Sequence, residues 1–313
     1  MNPAAFISGL VLSVLLSLMA MLVALGCKPE SGRWTAESVS MKNVAVETIG
    51  PKFIIVSGSN GLFGFSAKAL TEQGLRTMNL ALNVGLEVPY MLHNARRHIK
   101  PGRIFILPLE YELYSRTSGG TNLTLQLVGY DVDYLKKLSL LDQARFFTSI
   151  SPLDRLRLLR ARFLPTPRRS DPGLYDSKTI NEFGDETSNI ESRRNEALVR
   201  NIQKQKSRQT LTHSGKVWDQ IGAFIADARA GGCEVFLTYP TIMKGFRNVE
   251  HDREFLRELQ DRARSLGVPI IGTPETFQFE PQFVFDSSYH PIVQQQQANS
   301  LRLVKELRAA VPL

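Results

Sequence analysis

At 313 residues, 43% hydrophobic and 22% charged, the chain is long enough to bury one substantial core with room for an insertion. Its net charge of +8 favours anionic partners, whether phospholipid headgroups, acidic glycans or nucleic acid. Two cysteines, Cys27 and Cys233, exclude a disulfide framework and a zinc-ligand cluster.

The first element in chain order is apolar. Ala4 to Cys27 carries no charged residue and is long enough to span a bilayer. Residues 1–27 read as an uncleaved anchor, because MNPAAF lacks the basic n-region of a cleaved signal peptide. A cleaved signal and a lipobox ending at Gly26-Cys27 are the alternatives, with Ala24 and Leu25 fitting a lipobox poorly. Lys28 and Arg33 follow the apolar run and argue against export, but long domains translocate largely regardless of such charges.

Residues 28–50 are polar, show no apolar periodicity and read as a tether. From residue 51 to the C-terminus short buried strands alternate with helices. FIIVS (53–57) is a first strand, followed by a helix from Ser66 to Gly74 and a second strand in LRTMNLAL. A helix over Val88–Lys100 ends at Pro101-Gly102, and IFILPL (104–109) is a third strand. After an insertion at about 112–214 come a helix over Gly215–Ala230 and the strand EVFLTYP (234–240). A helix over Glu250–Leu266, the strand VPIIG (268–272) and a terminal helix over Val293–Ala310 complete the chain. This alternation predicts an α/β domain with a mostly parallel sheet covered on both faces.

Within the insertion, SPLDRLRLLRARFL (151–164) predicts an amphipathic helix started by Ser151, Pro152 and Asp154. Leu153, Leu156, Leu159 and Phe163 form its apolar stripe, flanked by Arg155, Arg157, Arg160 and Arg162. That basic face is either solvated or a surface for anionic lipid or an acidic polymer. Residues 165–195, polar and aperiodic, read as a mobile lid or as disorder.

The loop after the first strand, SGSNGLFG (57–64), stands where open α/β sheets bind ligands. It is no dinucleotide fingerprint, since its glycines fall at 58, 61 and 64 and residues 77–83 include no acid; nor does it carry the Gly-Lys-Ser/Thr of a P-loop. A nucleophilic serine needs a base and a group that orients the base. FDSSYHPI (285–292) supplies both in Asp286 and His290, with Ser59 as the nucleophile across the strand ends. His93 and His98 flank basic residues of a helix, and His213 and His251 fall in polar surface stretches, so these make poorer bases. Taken without Ser59, Asp286 and His290 also read as an ordinary loop ion pair.

These blocks resemble the SGNH (GDSL-like) hydrolase superfamily, in particular its membrane-anchored bacterial envelope branch, which modifies exopolysaccharides. Aligned on the closing Phe-Gly, SGSNGLFG places Ser59 at the nucleophile position. NLALNVG (79–85) is similar to the second block, where the resemblance implies Gly85 as an oxyanion donor. DSSYH is similar to the final Asp–His block, and VFLTYPT to a strand-plus-Pro element of the envelope branch. The resemblance covers about 51–110 and 232–310. It implies a flavodoxin-like three-layer sandwich carrying a helical insertion and an N-terminal transmembrane helix. Where the superfamily's third block has an Asn side chain in the oxyanion hole, LPLEYE (107–112) has Glu110 and Tyr111. Glu110 is therefore expected to point elsewhere, for instance toward an arginine of the insertion, with Asn60 or Asn83 as the substitute donor; a degenerate site is the other reading.

The expectation is a serine esterase or O-acyltransferase with no cofactor or metal. It would act on an envelope polysaccharide or lipid ester beside other envelope biosynthesis proteins, without nucleic acid. It would sit in the bacterial inner membrane by a single pass, its domain facing the periplasm or cell exterior. The alternative is a noncatalytic assembly or polysaccharide-binding partner of an export complex. A C-terminal reporter active only in the cytoplasm should give no signal; a strong signal would exclude the envelope-facing topology.

Overall fold

A computed structural model describes residues 30–116, 130–139, 176–248 and 250–311, with scattered positions elsewhere. Most of Ala4–Cys27 and of the arginine-rich 151–164 lies outside the described residues. Among those described, no helix is long and apolar enough to cross a membrane. The chain divides into two compact units, Met1–Ala36 with Gly119–Asp171, and Glu37–Ser118 with Pro172–Leu313. In the first, a short helix spans Val132–Lys137, and the Asp131 side chain caps it by accepting from Tyr134 N–H.

The second unit is built on five parallel strands: β1 (Phe53–Ile55), β2 (Thr77–Asn79), β3 (Ile104–Leu107), β4 (Glu234–Thr238) and β6 (Ile270–Ile271). Their order is β2-β1-β3-β4-β6. Two further short strands, β5 (Ile242–Met243) and β7 (Gln278–Phe279), pair with each other in a separate sheet. Ile55 lies opposite Asn79 on one side and Ile106 on the other, and Leu107 opposite Leu237. β1 and β3 are buried on both faces, which is why their sequences are unbroken apolar runs and not alternating ones. A helix α4 (Glu87–Arg96) packs with α8 (Gly215–Ala230), and α3 (Ala67–Glu72) packs with α10 (Val293–Ala310). Phe53, Ile55, Phe105, Phe224 and Leu303 join in one core. The chain runs one way from β1 to β2 and the other way to β3, so a topological switch point falls between the carboxyl ends of β1 and β3.

The predicted tether is instead a helix, α1 (Glu30–Ile49). Val39, Lys42 and Val46 are buried, and Ile49 packs at the margin of the core. These four recur at helical spacing, and the stripe escapes a hydrophobicity reading because a lysine holds one of its positions. Lys42 Nζ donates to Ala81 O at 2.7 Å, and Asn43 bonds both Asn94 and His98.

The predicted lid is also overturned over its described part. Residues 176–195 form ordered turns against the outer edge of β2: Asn79 N–H donates to Phe183 O at 2.9 Å, and an isolated bridge joins Ile180 to Glu186. The segment covers a sheet edge that would otherwise be open. A helix α7 (Glu196–Lys204) follows, burying Val199 and Ile202. His213, read as a surface residue, stacks on Phe255 at 4.2 Å and uses both ring nitrogens, toward Phe255 O and Trp218 Nε1. His93 and His98 are buried as well.

Burial lowers the Lys42 amine from 10.5 to about 7, against the opposing pull of Asp185 and Glu186. A depressed lysine contributes stability that is fully present above its unfolded pKa and lost as pH falls through the folded one. Lys42→Met should therefore flatten the rise in stability between pH 7 and 10, at a cost of about 1 kcal/mol for the lost bond to Ala81 O. Denaturant midpoints across that range test this; equal slopes in both proteins would exclude it.

Candidate active site

β1 ends at Ile55, and the chain turns through Val56, Ser57 and Gly58 into a six-residue helix, α2 (Ser59–Gly64). Ser57 Oγ donates to Pro108 O at 2.5 Å, tying this turn to the end of β3. Gly58 and Gly64 are needed for close approach. A Cβ on Gly58 would lie 2.6 Å from both carboxylate oxygens of Glu110, and one on Gly64 would strike the Thr241 side chain.

Asp286 and His290 sit on an antiparallel hairpin of β8 (Val284–Ser287) and β9 (His290–Pro291), a tighter frame than the predicted loop. Imidazole Nδ1 and Asp286 Oδ1 are 2.7 Å apart. The Phe63 ring stacks on the imidazole at 4.4 Å, with Phe285 stacked on Phe63 at 6.0 Å. Ser59 lies one helical turn before Phe63, in the helix that packs on β9. Ser59 and His290 are each 5% exposed.

The predicted oxyanion donors are engaged otherwise. Asn60 Nδ2 donates to Thr241 O at 2.7 Å and to Thr241 Oγ1 at 2.8 Å, and Thr241 Oγ1 donates to Tyr289 O. Asn60 therefore fixes the serine turn to the residue preceding His290. Gly85 N–H donates to Asn83 Oδ1 at 2.8 Å, capping a single 3-10 turn over Val84–Leu86. The Asn60 amide and the Gly85 N–H are thus already committed within the fold, while the bond to Gly85 engages only the Oδ1 of Asn83 and not its Nδ2 donor.

Glu110 does not reach toward an arginine of the insertion. Its Oε1 accepts Asn60 N–H at 2.7 Å, and its buried Oε2 has no hydrogen-bond partner. Glu112, two residues on, is the one that meets an arginine, Arg247 at 3.2 Å, while also accepting from Tyr289 Oη at 2.7 Å. Burial raises the Glu110 carboxyl from 4.5 to about 6, opposed by the Asn60 N–H bond and by the nearby His290. Sequence reasoning missed the parts played by Thr241, Phe63 and Tyr289, although each falls in a block singled out there: VFLTYPT, SGSNGLFG and DSSYH. Among the described residues no group of His, Cys, Asp and Glu is placed to hold a metal ion.

No family model and no curated protein matches the chain. Among solved structures it is similar to the crystal structure of protein YxiM from Bacillus subtilis, at 12% identity and a TM-score of 0.39. The similarity covers 83% of this chain and 56% of that one, so the chain spans little more than half of that structure's length. A likeness that loose says nothing of the site.

A buried acid with a raised pKa contributes stability that is complete below its unfolded pKa and lost as pH rises through the folded one. For Glu110 that window runs from about 4.5 to about 6. Glu110→Gln should therefore leave melting unchanged at pH 4 and raise it at pH 8, by on the order of 1–2 kcal/mol in stability. Equal melting differences at both pH values would show that Glu110 is not held neutral by the fold.

Proposed function

We propose that the protein is a serine acyl-ester hydrolase or O-acyltransferase of SGNH-like, flavodoxin-type architecture. Its substrate would be an ester on a cell-envelope polysaccharide or lipid, and its domain would be anchored at the inner membrane facing the periplasm or cell exterior. The observation that carries the reading is the 2.7 Å Asp286–His290 pair on a rigid hairpin, packed against the helix that Ser59 begins. Ser59 Oγ attacks the acyl carbonyl as His290 Nε2 takes its proton, and Asp286 holds the imidazole tautomer. The proton passes to the departing alcohol oxygen, leaving an acyl-Ser59; water or a sugar hydroxyl then gives its proton to His290 and takes the acyl group, and His290 returns that proton to Ser59 Oγ. The substrate class and location come from the resemblance of the sequence blocks to the envelope branch, together with the apolar Ala4–Cys27.

A second reading, a noncatalytic assembly or polysaccharide-binding partner in envelope export, is favoured by one observation. An acidic side chain, Glu110, lies against the serine turn where catalysis calls for a donor.

Labelling with a fluorophosphonate separates the two. The wild-type protein should be labelled at Ser59 and should cleave a small acyl ester. Ser59→Ala and His290→Ala should each lose nearly all turnover while remaining folded by circular dichroism. The double variant should be no worse than either alone, because such residues act as a unit. A wild-type protein that is never labelled would leave the noncatalytic partner as the account.

A further inference from the structure

Glu110 lies three residues beyond the end of β3, on the switch-point side, and against Gly58, the residue before Ser59. Its two oxygens are in different surroundings. Oε1 accepts Asn60 N–H, whereas Oε2 is buried without a partner. An ionised carboxylate spreads its charge over both oxygens and would leave half of it in a dry, unpaired position. A carboxylic acid suits the same surroundings: the bonded oxygen is the carbonyl, and the orphan is the hydroxyl, with one hydrogen to give.

The charged groups that face Glu110 are His290 from β9 and Glu112 from the helix that follows, α5 (Tyr111–Ser115). Neutral imidazole adds nothing to the balance, Glu112 disfavours a second negative charge, and burial is the largest influence. The acid form therefore persists to about pH 6. In that form Glu110 presents a hydrogen-bond donor against Gly58, the residue before Ser59.

We propose that neutral Glu110 donates its Oε2 hydrogen to the oxyanion formed when Ser59 attacks an acyl carbonyl, a part that the Asn60 amide, held by Thr241, cannot play. The proposal rests on the serine-ester reading and deepens it. No bond to Glu110 is made or broken: the proton stays on Oε2 and strengthens its hydrogen bond as charge develops. It follows that turnover has two opposed requirements, His290 neutral to act as base and Glu110 protonated to act as donor. The enzyme is then tuned to mildly acidic conditions.

The test is kcat/KM of the full-length protein in detergent on p-nitrophenyl acetate from pH 4.5 to 9, for wild type, Glu110→Gln and Glu110→Ala. Wild-type turnover should fall about tenfold per pH unit above about pH 6. Glu110→Gln, whose amide donates at every pH, should lose that falling arm and exceed wild type at pH 8. Glu110→Ala should lose about 100-fold at pH 5. Infrared difference spectra of the wild type between pH 5 and 8 should show a buried carboxylic-acid carbonyl band, removed by Glu110→Gln, and this readout needs no turnover. A missing band overturns the proposal, as does a Glu110→Gln variant inactive at all pH, which would make Glu110 a carboxylate base. Turnover with an unchanged falling arm in Glu110→Gln sinks the donor role alone. A wild type that is neither labelled nor active sinks the ester reading, and the donor role with it.

Discussion

A six-residue helix cannot hold itself in place, and much of the site follows from that constraint. With six residues, α2 closes few internal hydrogen bonds, and its ends leave donors and acceptors that must be met from outside. The fold meets them from four directions. Glu110 receives Asn60 N–H; Asn79 at the end of β2 donates to Gly61 O and Phe65 O; Gln296 of α10 donates to Leu62 O; and Thr241 receives the Asn60 amide. The clamps come from the end of β2, from a helix and from the segments that follow β3 and β4, so Ser59 inherits its position from the core.

The same clamps set the electrostatics. Asp286 and Glu110 are both carboxylates near His290, yet their surroundings divide them. Asp286 is bonded to the imidazole, which can carry the matching charge. Glu110 is buried, with the Asn60 N–H and its own N–H as its only opposing backbone donors, and burial pushes its pKa up. The first carboxylate orients a base, and the surroundings of the second favour a neutral acid that can give a hydrogen bond. The Thr241 bridge from Asn60 to the carbonyl of Tyr289 keeps these two environments at a fixed separation.

Those parts of the molecule where burial and apolar character coincide were legible in the sequence. The helices Gly215–Ala230 and Val293–Ala310 follow from sequence pattern and the strands around Ile54, Ile106 and Leu237 from unbroken apolar runs, and the residue spacing already suggested the Asp286–His290 bond. What escaped was structure made by buried polar groups. α1 is invisible to a hydrophobicity reading because Lys42 lies in its inward stripe. The turns of 176–195 are held by Asp185, Glu186 and Asn189, residues whose composition reads as solvent-exposed loop. The place of Glu110 could be read from its distance after β3. Its direction could not, since that depends on the absence of a Cβ at Gly58 and on the N–H of Asn60.

These polar groups also explain why the segment 176–195 matters to a site it does not touch chemically. Asp185 accepts from Ser66 Oγ, Ala67 N–H and Lys68 N–H, which caps α3 directly after α2. Asn79, the residue that holds Gly61 O and Phe65 O, extends the same amide to Asp185 at 3.3 Å. Lys42 enters from α1, its amine on Ala81 O, while Ala81 N–H donates to Asn79 Oδ1. A chain of satisfied polar contacts thus runs from α1 and the 176–195 turns through Asn79 to the carbonyl groups of the serine helix. Leaving one member of such a buried network unpaired costs more than the bond it loses. The insertion is therefore a structural part of the site: its acid at 185 holds the far end of the turn whose near end is held by Glu110.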